Sequence, residues 1–433
     1  MLSCIVPSGI RKVSDRFKST FKDCGINYSV ACALFALYLF AKTSLSEVVR
    51  CCPWTPSVST LSRAVAKFDG NRFMRRLQRS ILRRFKHRLN ANDFAYAVDD
   101  TDNPKFGKLM HGVGRWHGSK GGYTGQKILV LVLIDIKRNI ALPIHYAFAT
   151  KKADPCYLSL IDQTTRLLGE CLALGYPALP VVADSWFDSS HLMIALDGMG
   201  LTFAGELKSR RKIRGTAAPR AARVSISDFF KNEIKVSVLA SPNVEPLKIQ
   251  GHAGRRPRKI MAERVGMING YPSPMKIMAV YNDRHDATVF AYYASTDRQM
   301  SGAKLWSLSR ARWTIATMFR DLKQNLSFGR LPWTGKGAAD LAACLPFALY
   351  VSIREEAKEV WDLDVQGCTS LGSRLSRIRE EALDSSVNLI AANPSHRVIK
   401  SLRVRRLASR LRQKPRVTPA AKDSSYQSLA RRA

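Results

Sequence analysis

The chain has 433 residues, enough for about two or three domains, and 46% of them are apolar, enough to bury a sizeable core. Lys and Arg number 69 against 34 Asp and Glu, a formal net charge of +35. An excess of that size is not neutralised inside a fold, so it points to a polyanionic partner and away from a neutral or cationic one.

A membrane is the other candidate partner for so basic a chain. The longest apolar stretch, Tyr28 to Ala41, is too short to span a bilayer and reads as a buried helix. The nine cysteines are odd in number and form no C-x-x-C pair. They read as small core residues in a reducing compartment, not as disulfides or zinc ligands. Met1 to Lys12 has no signal-peptide pattern, and a cytoplasmic, DNA-associated protein is the expectation.

Residues 1–90 read as a helical domain. After the buried helix at 28–42 come two short amphipathic segments, 44–52 and 57–68, separated by Pro53-Trp54-Thr55-Pro56. Helix, tight turn, helix is the arrangement of a helix-turn-helix, whose second helix offers its N-terminal residues to the major groove. Ser57, Ser59 and Thr60 stand there as candidate DNA contacts; the alternative is an ordinary helical pair. A helix follows with Arg72, Arg75, Arg76, Arg79, Arg83 and Arg84 on nearly every turn, a phosphate-facing surface in this reading.

From residue 94 the texture changes to α/β. Strands are predicted at 93–101, 127–135, 139–149, 178–184 and 201–206, and helices at 156–174 and 189–198. Residues 207–300 read as a β-rich insertion. It opens on Lys208-Ser209-Arg210-Arg211-Lys212, with Arg210 and Arg211 as candidate DNA contacts, and includes the basic Gly-rich loop 251–259. Strands are predicted there at 234–239, 275–281 and 287–293, and the chain is helical again from 303 through 356. Residues 351–433 form a basic helical region and tail.

Asp100 and Asp184 both fall at the carboxyl ends of predicted strands, the edge where α/β sheets bind ligands. Two acids gathered there need a cation between them, and a divalent oxygen-preferring ion supplies it. A pair of such ions serves phosphodiester chemistry. Histidines are few and not paired at ligand spacing, which disfavours a zinc hydrolase. Asp100 is preferred over Asp99 and Asp102 by a period-two argument that places it on the same face as Val98. The alternative for Asp184, before a turn and a helix, is a cap.

A single amphipathic helix is predicted at 310–324. Trp313, Ile315, Phe319 and Leu322 mark one side, and Arg312, Ala316, Phe319 and Lys323 lie close to one face. Trp186 and Trp333 read as base-stacking candidates, with core packing as the alternative.

Val98 to Lys105 (VDDTDNPK), Gly125-Gln126-Lys127, Ala183 to Asp188 (ADSWFD) and Arg312 through Lys323 together resemble the DDE transposases of bacterial insertion sequences, in the branch with the Y-x2-R-x3-E-x6-K signature. The resemblance covers residues 90–350. It implies an RNase H-like catalytic domain built from 91–206 and 301–350, with the β-rich insertion between them. It also implies Mg²⁺-dependent cutting and joining of double-stranded DNA ends (Mn²⁺ substituting) by a homodimer that bridges two ends. By that pattern the metal-binding acids are Asp100 and Asp184, and the signature's Arg and Lys are Arg312 and Lys323.

Two positions depart from the pattern. The signature tyrosine falls on Ser309 and its glutamate on Ala316, which cannot bind metal. Asp321 is the nearest carboxylate, but five residues further is about 140° around a helix. The expectation is therefore a DNA transposase whose third acid is missing. A catalytically inactive, transposase-derived DNA-binding protein is the alternative, and a nuclease of the same fold a second one.

Overall fold

The computed structural model describes residues 6–42, 44–52, 55–105, 107, 110–118, 121–215, 222–230, 260–281, 289–331, 334–362 and 370–392. In chain order the elements begin with helices α1 (Ser8–Arg16), α2 (Lys18–Asp23), α3 (Tyr28–Leu39), α4 (Leu45–Cys51), α5 (Val58–Ala66) and α6 (Gly70–Phe85). Strands β1 (Phe94–Pro104), β2 (Val113–Gly118), β3 (Gly121–Asp135) and β4 (Ile140–Phe148) follow. Then come α7 (Leu160–Ala173), β5 (Val181–Ala183), α8 (Ser190–Gly198) and β6 (Phe203–Leu207). The next strands are β7 (Lys212–Gly215), β8 (Val224–Ser225), β9 (Ile260–Ile268), β10 (Pro274–Tyr281) and β11 (Val289–Ser295). The described residues end with α9 (Gly302–Arg312), α10 (Thr314–Asn325), α11 (Lys336–Glu355), α12 (Ala357–Trp361) and α13 (Leu371–Ala392).

Two units divide the chain. One combines Met1–Phe73 with Asp321–Ala433; the other is Met74–Arg320. The first unit is helical and is built around α3. The Asn27 side chain accepts from the Val30 N–H at 3.0 Å and starts that helix. Every residue from Val30 to Leu39 is buried. A helix that is apolar on all sides must be covered on all sides, and α1, α2, α4, α5 and α11 pack on it. Phe73 stacks on Phe17 with ring centroids 4.3 Å apart. Arg379 donates to the Leu39 carbonyl at 2.6 Å and to the Asn325 carbonyl at 3.0 Å, so one guanidinium closes two helix ends.

This packing revises the expected domains. Helix α11, predicted as part of the α/β core, lies against α3 and α5 and joins the N-terminal helices. It is long and apolar enough to cross a membrane, but most of it is buried inside the protein. The reason is complementary surface: α3 needs an apolar partner, and α11 is the longest apolar helix the described residues offer. The helical pair at 44–68 is present as α4 and α5. The basic stretch 403–406, Trp333 and the Pro53-Trp54 turn lie outside the described residues.

The second unit holds one sheet of eleven strands, in the order β2-β3-β1-β5-β6-β11-β10-β9-β7-β8, with β4 also paired to β3. Strands β1, β5 and β6 are mutually parallel, and β3 runs antiparallel beside β1. The core strands are nearly continuous apolar runs because both faces are covered. The described strands between 207 and 300 continue this sheet. β11 pairs antiparallel with β6, and β10, β9, β7 and β8 carry the same sheet onward. The predicted strand at 234–239 and the loop 251–259 lie outside the described residues.

The helix predicted at 310–324 is two helices. Trp313 ends α9, and its N–H bonds the Arg310 carbonyl at 3.1 Å before α10 begins at Thr314. Its indole is 57% exposed, so it is not part of the apolar side. Ile315, Phe319 and Leu322 are buried as expected.

Asp321 is committed to packing in the helical unit. It is buried and accepts from Arg354 at 2.9 Å. Asp321→Ala strands a buried guanidinium and should cost about 3–5 kcal/mol in unfolding free energy, read by urea denaturation. A change under 1 kcal/mol would mean that the pair is solvated.

Candidate active site

The site is built by strand register. Across the parallel pair β1–β5, Ala97 lies opposite Val182, and across β5–β6, Val182 lies opposite Ala204. Side chains alternate faces with period two, so two residues further along comes Asp99, Asp184 and Glu206, one acid per strand, in one row on one face. Asp184 follows the last residue of β5 with the backbone still extended, φ −82° and ψ 177°. The row continues on the far side to Tyr293, which pairs with Glu206 across β6–β11. All three acids stand at the carboxyl edge of the parallel strands, where open α/β sheets bind ligands.

Gly205 keeps the middle of this row tight. A Cβ there would lie 2.5 Å from the Phe203 ring and 3.0 Å from the Ala183 carbonyl, so any side chain would spread β5 from β6.

The fourth member is Arg312, at the end of α9. That helix packs on β5, β6 and β11. Its start is fixed twice: Ser301 caps the Lys304 N–H at 3.2 Å, and Glu263 of β9 accepts from the Gly302 N–H at 3.0 Å. The guanidinium that results is largely buried and stands 3.8 Å from a Glu206 oxygen. It also lies 5.3 Å from the centre of the exposed Trp313 ring.

The electrostatics follow from this crowding. Burial pushes the Asp99 carboxyl up to about 7, helped by the charge of Asp184 and opposed by Arg312. Glu206 is also raised, by burial first; Arg312 opposes the shift and Asp184 adds to it. The cluster holds more negative charge than Arg312 neutralises.

Asp100 points the other way. It takes the Lys127 ammonium at 2.7 Å, which also lies 3.3 Å from Asp102. Burial raises its carboxyl, Lys127 opposes that shift, and the charges of Asp102 and then Asp184 add to it. The face argument that selected Asp100 is therefore corrected. Neighbours on a strand face opposite sides, and the register gives Asp99 to the row with Asp184. Sequence periodicity alone has no way to say which face the site is on.

The other expected residues are placed as follows. Asp184 is also the cap that its position before a turn allows, one oxygen accepting from the Trp186 N–H at 3.0 Å. Ser309, at the signature tyrosine's place, is buried and donates to the Leu305 carbonyl at 2.8 Å. Ala316 is exposed on α10. Lys323 belongs to the helical unit. In that unit Ser57 caps α5 by accepting from the Thr60 N–H at 3.3 Å, and its hydroxyl lies 3.0 Å from those of Ser59 and Thr60.

A cleft of about 760 Å³ opens beside Glu206, lined by Lys208, Arg210, Arg211 and Lys212. Arg210 is exposed, whereas Arg211 is held by buried Asp188 at 3.5 Å and donates to the Asn269 carbonyl at 3.1 Å. Arg211 thus braces the cleft wall, and Lys208, Arg210 and Lys212 are its exposed cations. Trp186 is 61% exposed, so core packing does not explain it; Lys208 lies 5.9 Å from its ring centre.

The residues missed in the sequence are Glu206 and Lys127. Lys127 stood in one of the stretches that carry the resemblance, but nothing local marked it as the partner of Asp100 and Asp102. Glu206 carried a signal of its own: it is the charged residue in the otherwise apolar strand Phe203-Ala204-Gly205-Glu206-Leu207.

No family model matches the chain. No curated protein matches it. Among solved structures it is similar to a piggyBac transposase synaptic complex with hairpin DNA, at 13% identity over 93% of this chain and 80% of that one, with a TM-score of 0.46. It is also similar to the Drosophila P element transposase strand transfer complex, at 11% identity over 86% of this chain and 82% of that one, with a TM-score of 0.22.

Asp99 gives a signed test of the cluster. A folded-state carboxyl raised above its unfolded value of about 3.9 is stabilising only while it holds its proton, and that stability is lost as pH rises through about 7. In EDTA, Asp99→Asn should melt higher than the unaltered chain at pH 8, by about 3 °C or more, and the gap should shrink at pH 5. An equal gap at both values would contradict a buried, repelled Asp99.

Proposed function

We propose that this chain is a DNA transposase by architecture, with a metal-dependent phosphodiester-cleaving site on an RNase H-like sheet. The observation that carries the reading is the row of Asp99 and Asp184 at the carboxyl edge of adjacent parallel strands, with Arg312 held beside it. Support also comes from the net charge of +35 and from the exposed arginines 75, 79, 83 and 84 along α6.

The donor set fits a hard divalent cation: the side chains are carboxylates, part-desolvated, and in electrostatic excess over their one arginine. Among the described residues no three His, Cys, Asp or Glu side chains converge tightly enough to hold one ion together. Asp99 and Asp184 are the residues that would hold Mg²⁺, or Mn²⁺ in its place. When bound, the ion supplies Lewis-acid polarisation of a phosphodiester and a more acidic water.

The protein's own part is positional. Asp99 and Asp184 fix where the scissile phosphate must lie. Arg312 places a permanent cation at that edge, suited to an equatorial phosphate oxygen. Lys208, Arg210 and Lys212 track a phosphate backbone along the neighbouring cleft, which gives binding that weakens with salt. Exposed Trp186 and Trp313 offer apolar ring faces beside Lys208 and Arg312. The chemistry is hydrolysis at an element end, then attack of the freed 3′-hydroxyl on target DNA. A dimer that bridges two ends is part of this reading.

Ala316 favours a second reading, a DNA-binding protein with a disabled site. The two separate by strand cleavage on end-bearing DNA with Mg²⁺ or Mn²⁺, comparing the unaltered chain with Ala316→Glu. A transposase architecture predicts nicking in the Glu form at least about 10²-fold above an Asp184→Asn control. Silence in both forms, with tight salt-sensitive DNA binding, would favour the binding protein.

A further inference from the structure

We propose that Glu206 is the third acid of this site, acting from the sheet where Ala316 supplies no donor. The inference rests on the reading of Asp99 and Asp184 as metal-holding residues, and it concerns how that pair is completed.

Register is the first ground. Asp184 lies between two in-register neighbours, Asp99 on β1 and Glu206 on β6, and Gly205 holds β6 close to β5. A carboxylate shared between two others is suited to a pair of ions, one toward each flanking acid. The second ground is that folding does not account for Glu206. It interrupts an otherwise apolar strand, and its own side chain is part-buried, 31% exposed. A carboxylate there is costly unless well partnered. Among the described residues its oxygens accept no hydrogen bond, and its cation, Arg312, stands at 3.8 Å, beyond hydrogen-bond range. The third ground is access. Glu206 lines the cationic cleft beside Lys208 and Arg210, so it faces the path on which a phosphate backbone would lie.

The rival role is that of a counter-ion that steadies Arg312. Full-chain protein is titrated with Mn²⁺ alone and with a DNA duplex present, free Mn²⁺ being read by electron paramagnetic resonance. The chains compared are unaltered, Glu206→Gln, Glu206→Asp, Asp184→Asn, Ala316→Glu and the double variant Glu206→Gln/Ala316→Glu. Circular dichroism and melting check that each is folded.

The unaltered chain should bind Mn²⁺, and Glu206→Gln should weaken binding about tenfold or more. Glu206→Asp should weaken it too, because the shorter side chain keeps the charge near Arg312 but withdraws the oxygens. The double variant should regain affinity. If Glu206→Gln binds as the unaltered chain does while Asp184→Asn does not, Glu206 is no ligand and the functional reading stands. The same holds if only the Ala316→Glu chain binds. If no chain binds Mn²⁺, Ala316→Glu included, the proposal and the reading beneath it both fall.

Discussion

The structure turns on like charges held in register. Parallel strands in register carry residues of equal depth side by side, and here three adjacent segments, β1, β6 and the residue after β5, each bring an acid to one row. Nothing local would place carboxylates so. Burial and mutual repulsion raise Asp99 and Glu206, and Arg312 offsets only part of that. The opposing stability comes from elsewhere in the unit: the buried aliphatic runs of β3 and β4, and the apolar first half of β1, set the register before any acid is reached. Repulsion of this kind is held at one edge of a well-packed sheet.

The Asp99-Asp100 dipeptide shows how finely the sheet sorts charge. Consecutive side chains face opposite sides. One acid enters the row with Asp184; the other meets Lys127, which also serves Asp102. Lys127 offsets part of the charge of these two acids, and Tyr123 adds a hydrogen bond to Asp102 at 2.5 Å. Exposed cations stand on the cleft wall and along α6, where solvent or a polyanion can reach them.

Arg312 depends on a longer chain of contacts. Glu263 on β9 holds the start of α9, and Lys276 on β10 holds Glu263 at 3.0 Å. The strands beyond β6 thus do more than extend the sheet. They anchor the helix whose far end brings a cation to the acid row. In the other unit Arg379 and the Asp321–Arg354 pair do comparable work, tying helix ends and helix faces together.

The sequence by itself determined the elements of this protein, because their signals are local. Apolar runs placed β4, α3 and α11 to within a few residues and the end of β3, which begins six residues earlier than expected at Gly121. Asn27, Ser44, Ser57 and Ser301 are caps legible from residue type alone. It also showed the acid-rich end of β1 and the turn after β5 that Asp184 begins. Only the tertiary structure decided which acids meet. Asp99 displaced Asp100 because the face of a strand is set by what packs on it, not by its own period. Glu206 entered because β6 lies beside β5, a pairing between segments distant along the chain. Trp313 left the apolar side because the helix breaks there. Helix α11 joined the N-terminal helices because α3 is apolar all round and had to be covered. Apart from the helix break at Trp313, the deciding contact in these cases is long-range, and a side chain carries no local mark of a neighbour that folding has yet to bring.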